Sequence, residues 1–529
     1  MSRVRVRIAP SPTGYMHVGN ARTVLFNWLF ARAAGGDFIW RVEDTDRERF
    51  VEGALEDFRD GLAWLGVTPD EGPFAGGAHG PYVQSERRPL YAEHVARLLE
   101  QGDAYRCFCS AERLEEVRQA RRAAGLKGPY DGHCRNLGPE EVASRLAEDA
   151  SFTVRLRMPA AGSFTLHDIV LGEITRLAED LYDIILLKSD GWPTYHLAVV
   201  VDDHHMAISH VIRADEWVSS TAYHLRLYEA FGWRVPAHAH VPMVLNPDGR
   251  GKLSKRKTVP QAGAAPEPRS QNADADADAE DEGAGVAMTQ VNEFRDAGYL
   301  PEAMFNYLCL LGWSFSGDQD LFTPEQAQER FRLEDVNPAP ARWDPARLDA
   351  MNGHYLRALD EEDLALRLTP FLEAAGLDVE GDGGQKLRAV AKLLQERLTT
   401  LSDAVEQADY FWSEPAPAPV ADLVPRKLDT ARTAELLAIA ADTLLTQEPW
   451  TAEALEQTLR RLAEQEGVKA GPLFQPIRVA VTASKAAPPL FDTLEVVGRE
   501  PCLARIRLAA ERLAEAARAE ALEAKEAQT

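Results

Sequence analysis

The chain begins with a strand–loop–helix–strand pattern, which constrains its fold more than any other feature. Residues 3–8 alternate between arginine and β-branched side chains, and this alternation predicts a strand. Large apolar residues then recur at helical spacing, with Asn20 as the predicted N-cap, and residues 37–43 (DFIWRVE) predict a second strand. A βαβ unit builds a parallel sheet whose sites lie beyond the carboxyl ends of the strands. Arg7 and Glu43 are expected near two such ends.

Length and composition place the chain among folded multidomain proteins. Its 529 residues exceed what one hydrophobic core usually organises, and 45% hydrophobic with 27% charged residues is typical of a folded protein. The sequence has no secretory leader pattern and no apolar run long enough to span a bilayer, which predicts a cytoplasmic enzyme without a membrane partner. The net charge of -25 disfavours nucleic-acid binding, although an acidic protein can still bind RNA through a local basic stripe.

The later sequence predicts an inserted domain and a helical C-terminal part. Residues 89–190 combine predicted helices with short strands, whereas 197–203 (LAVVVDD) and 210–216 (HVIRADE) are predicted as buried strands that resume the sheet. Residues 261–287 hold seven acidic groups against one arginine and predict disorder. From about residue 335 the period is almost entirely helical. The expected fold is α/β with an inserted α+β domain, followed by all-α domains.

Two short segments carry the predicted chemistry. Residues 10–20 (PSPTGYMHVGN) join a strand to a helix and place His17 and Gly19 where the helix begins, a position that favours phosphate. Residues 251–258 (GKLSKRKT) form a glycine-flanked cluster of cations suited to a triphosphate. Taken singly, the first segment is also compatible with a surface histidine, and the second with a solvated basic loop.

Together the segments resemble the two signature motifs of class I aminoacyl-tRNA synthetases. HVGN (17–20) is similar to the histidine-containing motif and KLSKR (252–256) to the lysine-containing one. The resemblance extends to bacterial glutamyl-tRNA synthetases over nearly the whole chain except 259–287. Further segments carry it: FIWRVEDTDRERF, DGWPTYHLAVVVDDH, HVIRADEWVSSTAYH, GYLPEAMFNYLCLLGW and PLFDTLEVVGRE.

The resemblance implies that L-glutamate is activated with ATP, accompanied by Mg²⁺, and passed to the terminal adenosine of tRNA(Glu). It implies His17 and Lys255 as catalytic residues. The residues implied for ATP are His17, Gly19, Lys252, Lys255 and Arg256, and those implied for glutamate are Arg7, Ser11, Glu43, Tyr195 and Arg213. Arginine suits this task because its planar fork binds a carboxylate through two parallel hydrogen bonds.

The resemblance also implies a domain layout and a monomer. The fold is expected to be a Rossmann-like α/β catalytic domain with an inserted α+β acceptor-binding domain, followed by all-α anticodon-binding domains. The implied boundaries are 1–90 and 191–250 for the catalytic halves, 91–190 for the acceptor-stem domain, 251–355 for the lysine-motif and stem-contact domain, and 356–405 and 406–529 for the anticodon domains. Residues 259–287 form an insertion just after the lysine motif. Arg397 resembles an arginine that checks the anticodon's last base, and a plain surface arginine is the alternative.

Other functions stay open at this point. A glutaminyl-tRNA synthetase or a ligase that also charges tRNA(Gln) is the nearest alternative, although Pro10-Ser11-Pro12-Thr13 and the helical C-terminal part favour the glutamyl branch. A different nucleotidyl-transferring enzyme would not need that long helical part. A catalytically inactive paralogue would be expected to have lost His17, Lys255 or Arg7, and all three are present.

The cysteines raise a separate question about metal. Cys107, Cys109 and Cys134 fall where some relatives carry zinc, but the usual fourth ligand position is Asn136, a poor zinc ligand. His133 is the predicted substitute. The alternative, which the sequence favours slightly, is a set of small buried thiols without metal.

Overall fold

A computed structural model describes most of the chain in two compact units. The first unit is Met1–Arg295 with Pro301–Pro345, and the second is Asp296–Leu300 with Ala346–Thr529. The described residues are 3–46, 49–253, 288–379, 381 and 384–526. Lys255, Arg256 and the predicted insertion 259–287 lie outside them. The finer domain boundaries stay predictions.

The first unit is an α/β structure. Its strands are β1 (Arg5–Ile8), β2 (Asp37–Trp40), β3 (Ala104–Cys107), β4 (Thr153–Leu156), β5 (Ser163–Asp168), β6 (Gly172–Leu177), β7 (Ile185–Leu187), β8 (His210–Ala214), β9 (Ala237–Val241), β10 (Val244–Leu245) and β11 (Ala341–Arg342). Its helices are α1 (Val18–Ala33), α2 (Ala54–Trp64), α3 (Arg88–Gln101), α4 (Ala111–Ala123), α5 (Pro139–Ala147), α6 (Tyr195–His205), α7 (Thr221–Phe231), α8 (Val291–Asp296, whose last residue belongs to the second unit), α9 (Pro301–Leu310) and α10 (Pro324–Arg330).

The parallel strands place the predicted site residues at one sheet edge. β1 pairs in parallel with β2, and β8 pairs in parallel with β9, which in turn pairs in parallel with β5. Ser209, just before β8, joins the two groups, because its backbone N–H donates to the carbonyl of Arg5 at 2.9 Å. Of the inserted strands, β3, β4 and β7 form a separate antiparallel sheet in the order β3-β4-β7, whereas β5 and β6 extend the sheet of β9 and β8. The predicted βαβ opening and the inserted α+β part are both confirmed.

Helix α1 lies in the hydrophobic core of the first unit. Nearly every residue from Val18 to Ala31 is buried, and Leu25, Phe26 and Leu29 are fully buried. A helix that is apolar on all sides must be covered on all sides, and α1 packs against β1, β8, α9 and α10. Each of these large side chains contributes about 1.5–3 kcal/mol through burial. The core therefore holds the end of the loop that precedes α1 in place.

Two sequence-based expectations are wrong. Residues 197–203, predicted as a strand, form the middle of α6, and Val199, Val200 and Val201 are buried there. A short run of β-branched residues does not distinguish a buried strand from a helix that is buried on several sides. The N-cap of α1 is His17 instead of Asn20, because the helix begins at Val18.

The second unit is all-α, as predicted. Its helices are α11 (Pro345–Ala358, whose first residue belongs to the first unit), α12 (Glu361–Ala374), α13 (Gln385–Leu394), α14 (Asp403–Trp412), α15 (Val420–Leu423), α16 (Thr430–Leu445), α17 (Ala452–Gln465), α18 (Ala470–Thr482), α19 (Leu490–Val497) and α20 (Arg499–Glu526). Leucine and alanine side chains such as Leu437, Leu459 and Leu513 form its core. Within the described ranges, no helix is long and apolar enough to cross a membrane.

Candidate active site

His17 forms the turn between the loop after β1 and helix α1. As the N-cap, it accepts a hydrogen bond at Nδ1 from the backbone N–H of Gly19 at 3.0 Å. This bond satisfies one of the N–H groups that a helix leaves unpaired in its first turn. Because Nδ1 is the acceptor, the imidazole is neutral and carries its proton on Nε2. The Nε2–H group can therefore donate a hydrogen bond to a phosphate oxygen. A Cβ at Gly19 would lie 3.3 Å from Nδ1, closer than ordinary contact, so glycine permits this turn.

A cavity of about 530 Å³ opens beside this turn, a size typical of a small-ligand site. His17, Gly19 and Lys252 line it together with Ala214 at the end of β8. The structure therefore brings together the predicted ATP residues that it describes. Lys255 and Arg256 lie outside the described residues.

Lys252 is held at this cavity by a surface ion pair. Its ammonium group donates to Glu216 Oε2 at 2.6 Å, and both side chains are largely exposed. Exposed pairs of this kind contribute about 0–1 kcal/mol. Lys252 can therefore exchange the carboxylate for a phosphate oxygen at little cost.

Arg7, at the carboxyl end of β1, is buried and paired with a carboxylate. Its Nε donates to Asp203 Oδ1 at 3.0 Å and its Nη2 to Oδ2 at 3.4 Å. Arg41 donates to the same Oδ1 at 2.7 Å and also binds Glu43 Oε1 at 2.9 Å. Among the described contacts, Arg7 Nη1 and Glu43 Oε2 have no partner, so one cationic and one anionic position remain open.

The network continues behind Arg41 to Asp202, which is fully buried. Asp202 accepts hydrogen bonds from Arg87 Nε at 2.7 Å and Gln84 Nε2 at 2.8 Å, and Arg41 Nε lies 3.8 Å away. Three guanidinium groups thus face three carboxylates. We call this set the Arg7 cluster: Arg7, Arg41, Arg87, Glu43, Asp202 and Asp203.

Burial and pairing act differently on two acids of the Arg7 cluster. Burial raises the pKa of Glu43 although the charge of Arg41 opposes this shift. Burial alone would also raise the pKa of Asp203, but the charges of Arg7 and Arg41 outweigh it and lower that pKa. Asp203 is therefore the firmly charged acid, because it contacts two guanidinium groups directly.

Arg213, near the end of β8, is buried as deeply as Arg7 but is held by neutral groups. Its Nε donates to His240 Nε2 at 3.0 Å and its Nη1 to Tyr195 Oη at 3.2 Å. The remaining acceptors are His224 Nδ1 at 3.4 Å, the carbonyl oxygen of Trp217 at 3.2 Å and Thr221 Oγ1 at 3.1 Å. We call Arg213 with these five acceptors the Arg213 clamp.

The Arg213 clamp leaves the charge of its cation uncompensated. In the described part of the chain, no carboxylate lies within ion-pair distance of Arg213. Burial lowers the pKa of Arg213, and its contacts with Tyr195 only partly oppose this shift. Burial likewise raises the pKa of Tyr195, so its hydroxyl stays protonated. A buried cation without a counter-ion attracts an anionic ligand.

Ser11 lies on the exposed turn after β1, where its carbonyl accepts from the N–H of Thr13 at 2.8 Å. The turn is tied to the site because the N–H of Glu43 donates to the carbonyl of Pro10 at 3.1 Å. These backbone contacts do not test the predicted role of the Ser11 hydroxyl, which stays a prediction.

Three cysteines of the inserted part form a compact cluster. The sulfur atoms of Cys107, Cys109 and Cys134 all lie within 4.8 Å of one another, and Cys109 Sγ is 3.6 Å from Cys134 Sγ. Burial alone would raise the pKa of Cys107, but hydrogen bonds from the backbone of Cys109 and from Tyr130 lower it to about 7. The prediction that His133 substitutes as the fourth ligand is wrong, because His133 is exposed and is not a member of the cluster among the described residues. It begins a short turn in which only Cys134 faces inward.

Tyr130 is the oxygen group beside the cysteines that the sequence analysis missed. Its hydroxyl lies 3.5 Å from Cys107 Sγ and accepts the backbone N–H of Cys134 at 3.0 Å. Tyrosine is an uncommon metal ligand, so ligand spacing that counts only cysteine and histidine does not find it.

Four further residues had not been predicted: Asp203 binds Arg7, Arg41 binds Asp203 and Glu43, His240 binds Arg213, and Asp168 binds His240. A sequence signal existed only for Asp203, which follows a buried apolar run and stands next to a second aspartate. Arg22 was missed as well: it lines the cavity and donates to the carbonyls of Pro242 and Leu311. These contacts fix the backbone that leads to the lysine motif.

In the second unit, Arg397 lies in the short turn after α13. Its Nη2 donates to the carbonyl of Ala486 at 2.7 Å, and its Nε donates to Gln407 Oε1 at 3.4 Å. These contacts keep an exposed side chain ordered but do not test the predicted anticodon contact.

Comparisons with known proteins agree with this geometry. The family model described as class I tRNA synthetases (E and Q), catalytic domain, matches residues 3–262, and an anticodon binding domain model matches residues 363–510. The chain is 45% identical over 519 residues to the glutamate–tRNA ligase of Chloroflexus aurantiacus, covering 96% of this chain and 97% of the relative. It is 45% identical over 521 residues to the enzyme of the same name from Roseiflexus castenholzii, covering 97% of each.

Solved structures give the same result. A glutamate tRNA ligase from Elizabethkingia meningosepticum, crystallised with its amino acid, matches with a TM-score of 0.83 at 32% identity, covering 97% of this chain and 100% of that one. The glutamate–tRNA synthetase of Elizabethkingia anophelis matches with a TM-score of 0.81 at 32% identity, over 96% and 100%. The predicted fold class and family are confirmed. The chain belongs to the glutamate–tRNA ligases, a family of class I aminoacyl-tRNA synthetases.

Proposed function

We propose that the chain activates L-glutamate with ATP and transfers the glutamyl group to the 3′-terminal adenosine of tRNA(Glu). The observation that carries this proposal is the position of Arg213. Within the described ranges this buried cation contacts no carboxylate, and it precedes Ala214, which lines the cavity of His17 and Lys252. A carboxylate substrate and a nucleotide can therefore meet at one sheet edge.

The proposed reaction has two steps. The α-carboxylate of glutamate attacks the α-phosphorus of ATP, which enters as its Mg²⁺ complex, and pyrophosphate leaves. A ribose hydroxyl of the terminal adenosine then attacks the activated carbonyl, and AMP leaves. The protein's contribution is to position the reactants and to stabilise charge as it develops.

The proposed roles follow the chemistry of each group. His17 and Lys255 contact the phosphates of ATP, with Lys252 and Arg256 in support, and Gly19 permits close approach of the nucleotide. Arg7 Nη1 and Arg213 bind the carboxylates of glutamate, with help from Ser11 and Tyr195. Glu43 Oε2 accepts the ammonium group. Support comes from the open atoms at Arg7 and Glu43 and from the long contacts, 3.2–3.4 Å, that a stronger acceptor can replace at Arg213.

The domain roles are proposed as well. Residues 91–190 bind the acceptor stem, and the helical domains after residue 356 bind the anticodon arm. Arg397 is proposed to contact the anticodon's last base. If so, Arg397→Ala should change the relative charging of tRNA(Glu) and tRNA(Gln), whereas a surface arginine would leave that ratio unchanged.

The test of the reaction is aminoacylation with labelled glutamate or glutamine on purified tRNAs, with and without ATP. We expect ATP-dependent charging of tRNA(Glu) with glutamate, and at least a hundredfold loss in His17→Ala, about the effect of removing one donor to a transition-state charge. His167→Ala is the matched control, because His167 is exposed on β5. Charging with glutamine alone would overturn the proposal, and glutamate charging of tRNA(Gln) would identify a ligase of broader tRNA specificity.

We also propose that the cysteine cluster binds one zinc ion through Cys107, Cys109 and Cys134, beside the Tyr130 hydroxyl. Zinc bonds to sulfur of about 2.3 Å fit sulfur atoms that lie 3.6 Å apart. Metal analysis of purified protein should find one zinc per chain, lost in Cys109→Ser and kept in Cys309→Ser, whose thiol is buried elsewhere. A zinc-free wild-type protein, with zinc also absent after refolding in its presence, would contradict this proposal.

A further inference from the structure

A chain of three buried side chains crosses the sheet and ends at Arg213. Asp168 Oδ2 lies 2.6 Å from His240 Nδ1, and His240 Nε2 accepts from Arg213 Nε at 3.0 Å. Asp168 is 4% exposed, His240 0% and Arg213 6%, so water does not screen these contacts. The three residues belong to β5, β9 and β8, which are neighbouring strands, and Arg213 and His240 are register partners. Rigid elements therefore position the whole chain.

The contacts of His240 determine which of its ring nitrogens carries the proton. Asp168 offers only lone pairs and Arg213 offers only N–H donors, so Nδ1 must carry the proton and Nε2 must be bare. The carboxylate itself is held by the backbone N–H groups of Val170 and Leu171, both at 3.0 Å, and of His240 at 3.1 Å. Burial lowers the pKa of His240, as does the charge of Arg213, which keeps the imidazole neutral although Asp168 opposes the shift.

This arrangement orients a cation without neutralising it. If Asp168 contacted Arg213 directly, it would form an ion pair, as Asp203 does with Arg7, and would compete with a substrate carboxylate. The imidazole between them transmits the orientation but carries no charge of its own. Arg213 therefore keeps its positive potential for a ligand.

We propose that Asp168 and His240 are positioning residues for glutamate: Asp168 sets the tautomer of His240, and His240 holds Arg213 in the orientation that binds the substrate carboxylate. This inference rests on the proposed role of Arg213 in glutamate binding. The contacts of Asp168 and His240 reach the substrate only through Arg213.

The test compares steady-state aminoacylation by five variants of the full chain. His240→Leu removes the acceptor for Arg213 Nε, and we expect the KM for glutamate to rise about tenfold or more, the loss associated with one hydrogen bond to a charged group. The KM for ATP should stay within about threefold of wild type, because Arg213 does not contact the nucleotide in this proposal. His240→Gln carries an amide oxygen at similar reach and should recover most of the affinity. Asp168→Asn should raise the KM for glutamate by a smaller factor than His240→Leu.

The matched control is His238→Leu. His238 lies two residues earlier on β9, is 2% exposed and stacks on His240 at 6.0 Å, but it binds the carbonyl of Pro236 instead of Arg213. A general loss of packing would affect His238→Leu as much as His240→Leu. Equal effects in the two variants, or equal increases in the KM values for glutamate and ATP, would overturn the inference.

Arg213→Gln separates this inference from the function on which it rests. If Arg213→Gln leaves the KM for glutamate unchanged, the proposed role of Arg213 is wrong. If Arg213→Gln raises that KM but His240→Leu does not, only the positioning inference is wrong. If His240→Leu fails to fold, Asp168→Asn and His240→Gln still test the inference. The inference then requires that Asp168→Asn raise the KM for glutamate more than His240→Gln does.

Discussion

Arg7 and Arg213 stand at the carboxyl ends of two strands of the same unit and are buried alike, yet they are held in opposite ways. Arg7 belongs to a cluster in which three guanidinium groups face three carboxylates. Arg213 donates to five acceptors, and all five are neutral. The Arg7 cluster can therefore hold the strands together without a ligand, whereas the Arg213 clamp is electrostatically complete only when an anion binds.

The difference shows what the two arginines contribute to recognition. In the Arg7 cluster, Arg7 Nη1 and Glu43 Oε2 have no partner among the described contacts, so a ligand would bind at fixed positions. In the Arg213 clamp the five direct acceptors are neutral, so the cation can still attract an anion. If Arg213 binds the side-chain carboxylate of the substrate, as proposed, an amide in its place would lose this charge interaction, which favours glutamate over glutamine.

The largest effect on stability is expected from Asp203→Asn, which tests whether the Arg7 cluster is structural. This change leaves the buried guanidinium groups of Arg7 and Arg41 in excess of their carboxylates. Removing one partner of a buried ion pair costs about 3–5 kcal/mol, and we expect a loss of that size in the free energy of unfolding, measured by denaturant titration.

Glu141→Gln is the control for Asp203→Asn, since Glu141 pairs with Arg145 on an exposed helix surface at 2.8 Å. Its cost should stay below about 1 kcal/mol. An Asp203→Asn protein as stable as this control would mean that the Arg7 cluster is not a structural element.

The second test is Arg213→Gln, which should separate binding from stability. Loss of the cation should raise the KM for glutamate by about a hundredfold, because two charge-assisted hydrogen bonds disappear. The free energy of unfolding should fall by at most about 2 kcal/mol, since the removed charge had no counter-ion and glutamine can bind some of its acceptors. Parallel aminoacylation and unfolding measurements check both numbers. A stability loss as large as that of Asp203→Asn would erase the distinction between the two sites.

The sequence predicted the two arginines of this comparison but not the residues that hold them. The family resemblance predicted Arg7, Glu43, Tyr195 and Arg213 as residues that bind glutamate, and this role stays a prediction. It did not identify Asp203, His240 or Asp168 as their partners. Arg7 and Asp203 are separated by 196 positions and Asp168 and His240 by 72, and no local periodicity links residues so far apart.

The fold was predicted best where local pattern and tertiary role agree. The strand at 3–8, helix α1 and the amphipathic helices of the second unit all show the period of the element that they form. The prediction of a strand at residues 197–203 failed. These residues belong to a helix that is buried on several sides, so their sequence is a continuous apolar run without amphipathic spacing. The prediction for His133 failed as well, because the packing of the inserted part determines which side chain of this short turn is buried.

The third test uses pH, because the Arg213 clamp depends on neutral imidazoles. His224 belongs to the clamp, and its Nε2 lies 3.3 Å from Nδ1 of His196. Burial lowers the pKa of His196 to about 4 and lowers that of His224 well below its ordinary value. Between about pH 4 and 6.5 the unfolded chain therefore binds more protons than the folded chain, so stability should rise with pH across this window. One such histidine contributes a slope of up to about 1.4 kcal/mol per pH unit.

His196→Gln should reduce this slope, measured by denaturant unfolding at several pH values inside the window. His167→Gln, which changes an exposed imidazole on β5, should leave the slope as it is. A slope that His196→Gln does not change would show that protonation of this histidine is not linked to folding.

The smallest effect is expected from Thr221→Val, which removes one acceptor of the Arg213 clamp and keeps its shape. Thr221 Oγ1 accepts from Arg213 Nη2 at 3.1 Å and is 3% exposed. One such bond contributes about 0.5–1.5 kcal/mol, so the KM for glutamate should rise about fivefold, with the KM for ATP unchanged. Ser219→Ala removes an exposed hydroxyl two residues away and should change neither value. If Thr221→Val instead lowers the KM for glutamate, the neutral acceptors compete with the substrate for Arg213 rather than orient it, and the Arg213 clamp acts as a restraint that binding must release.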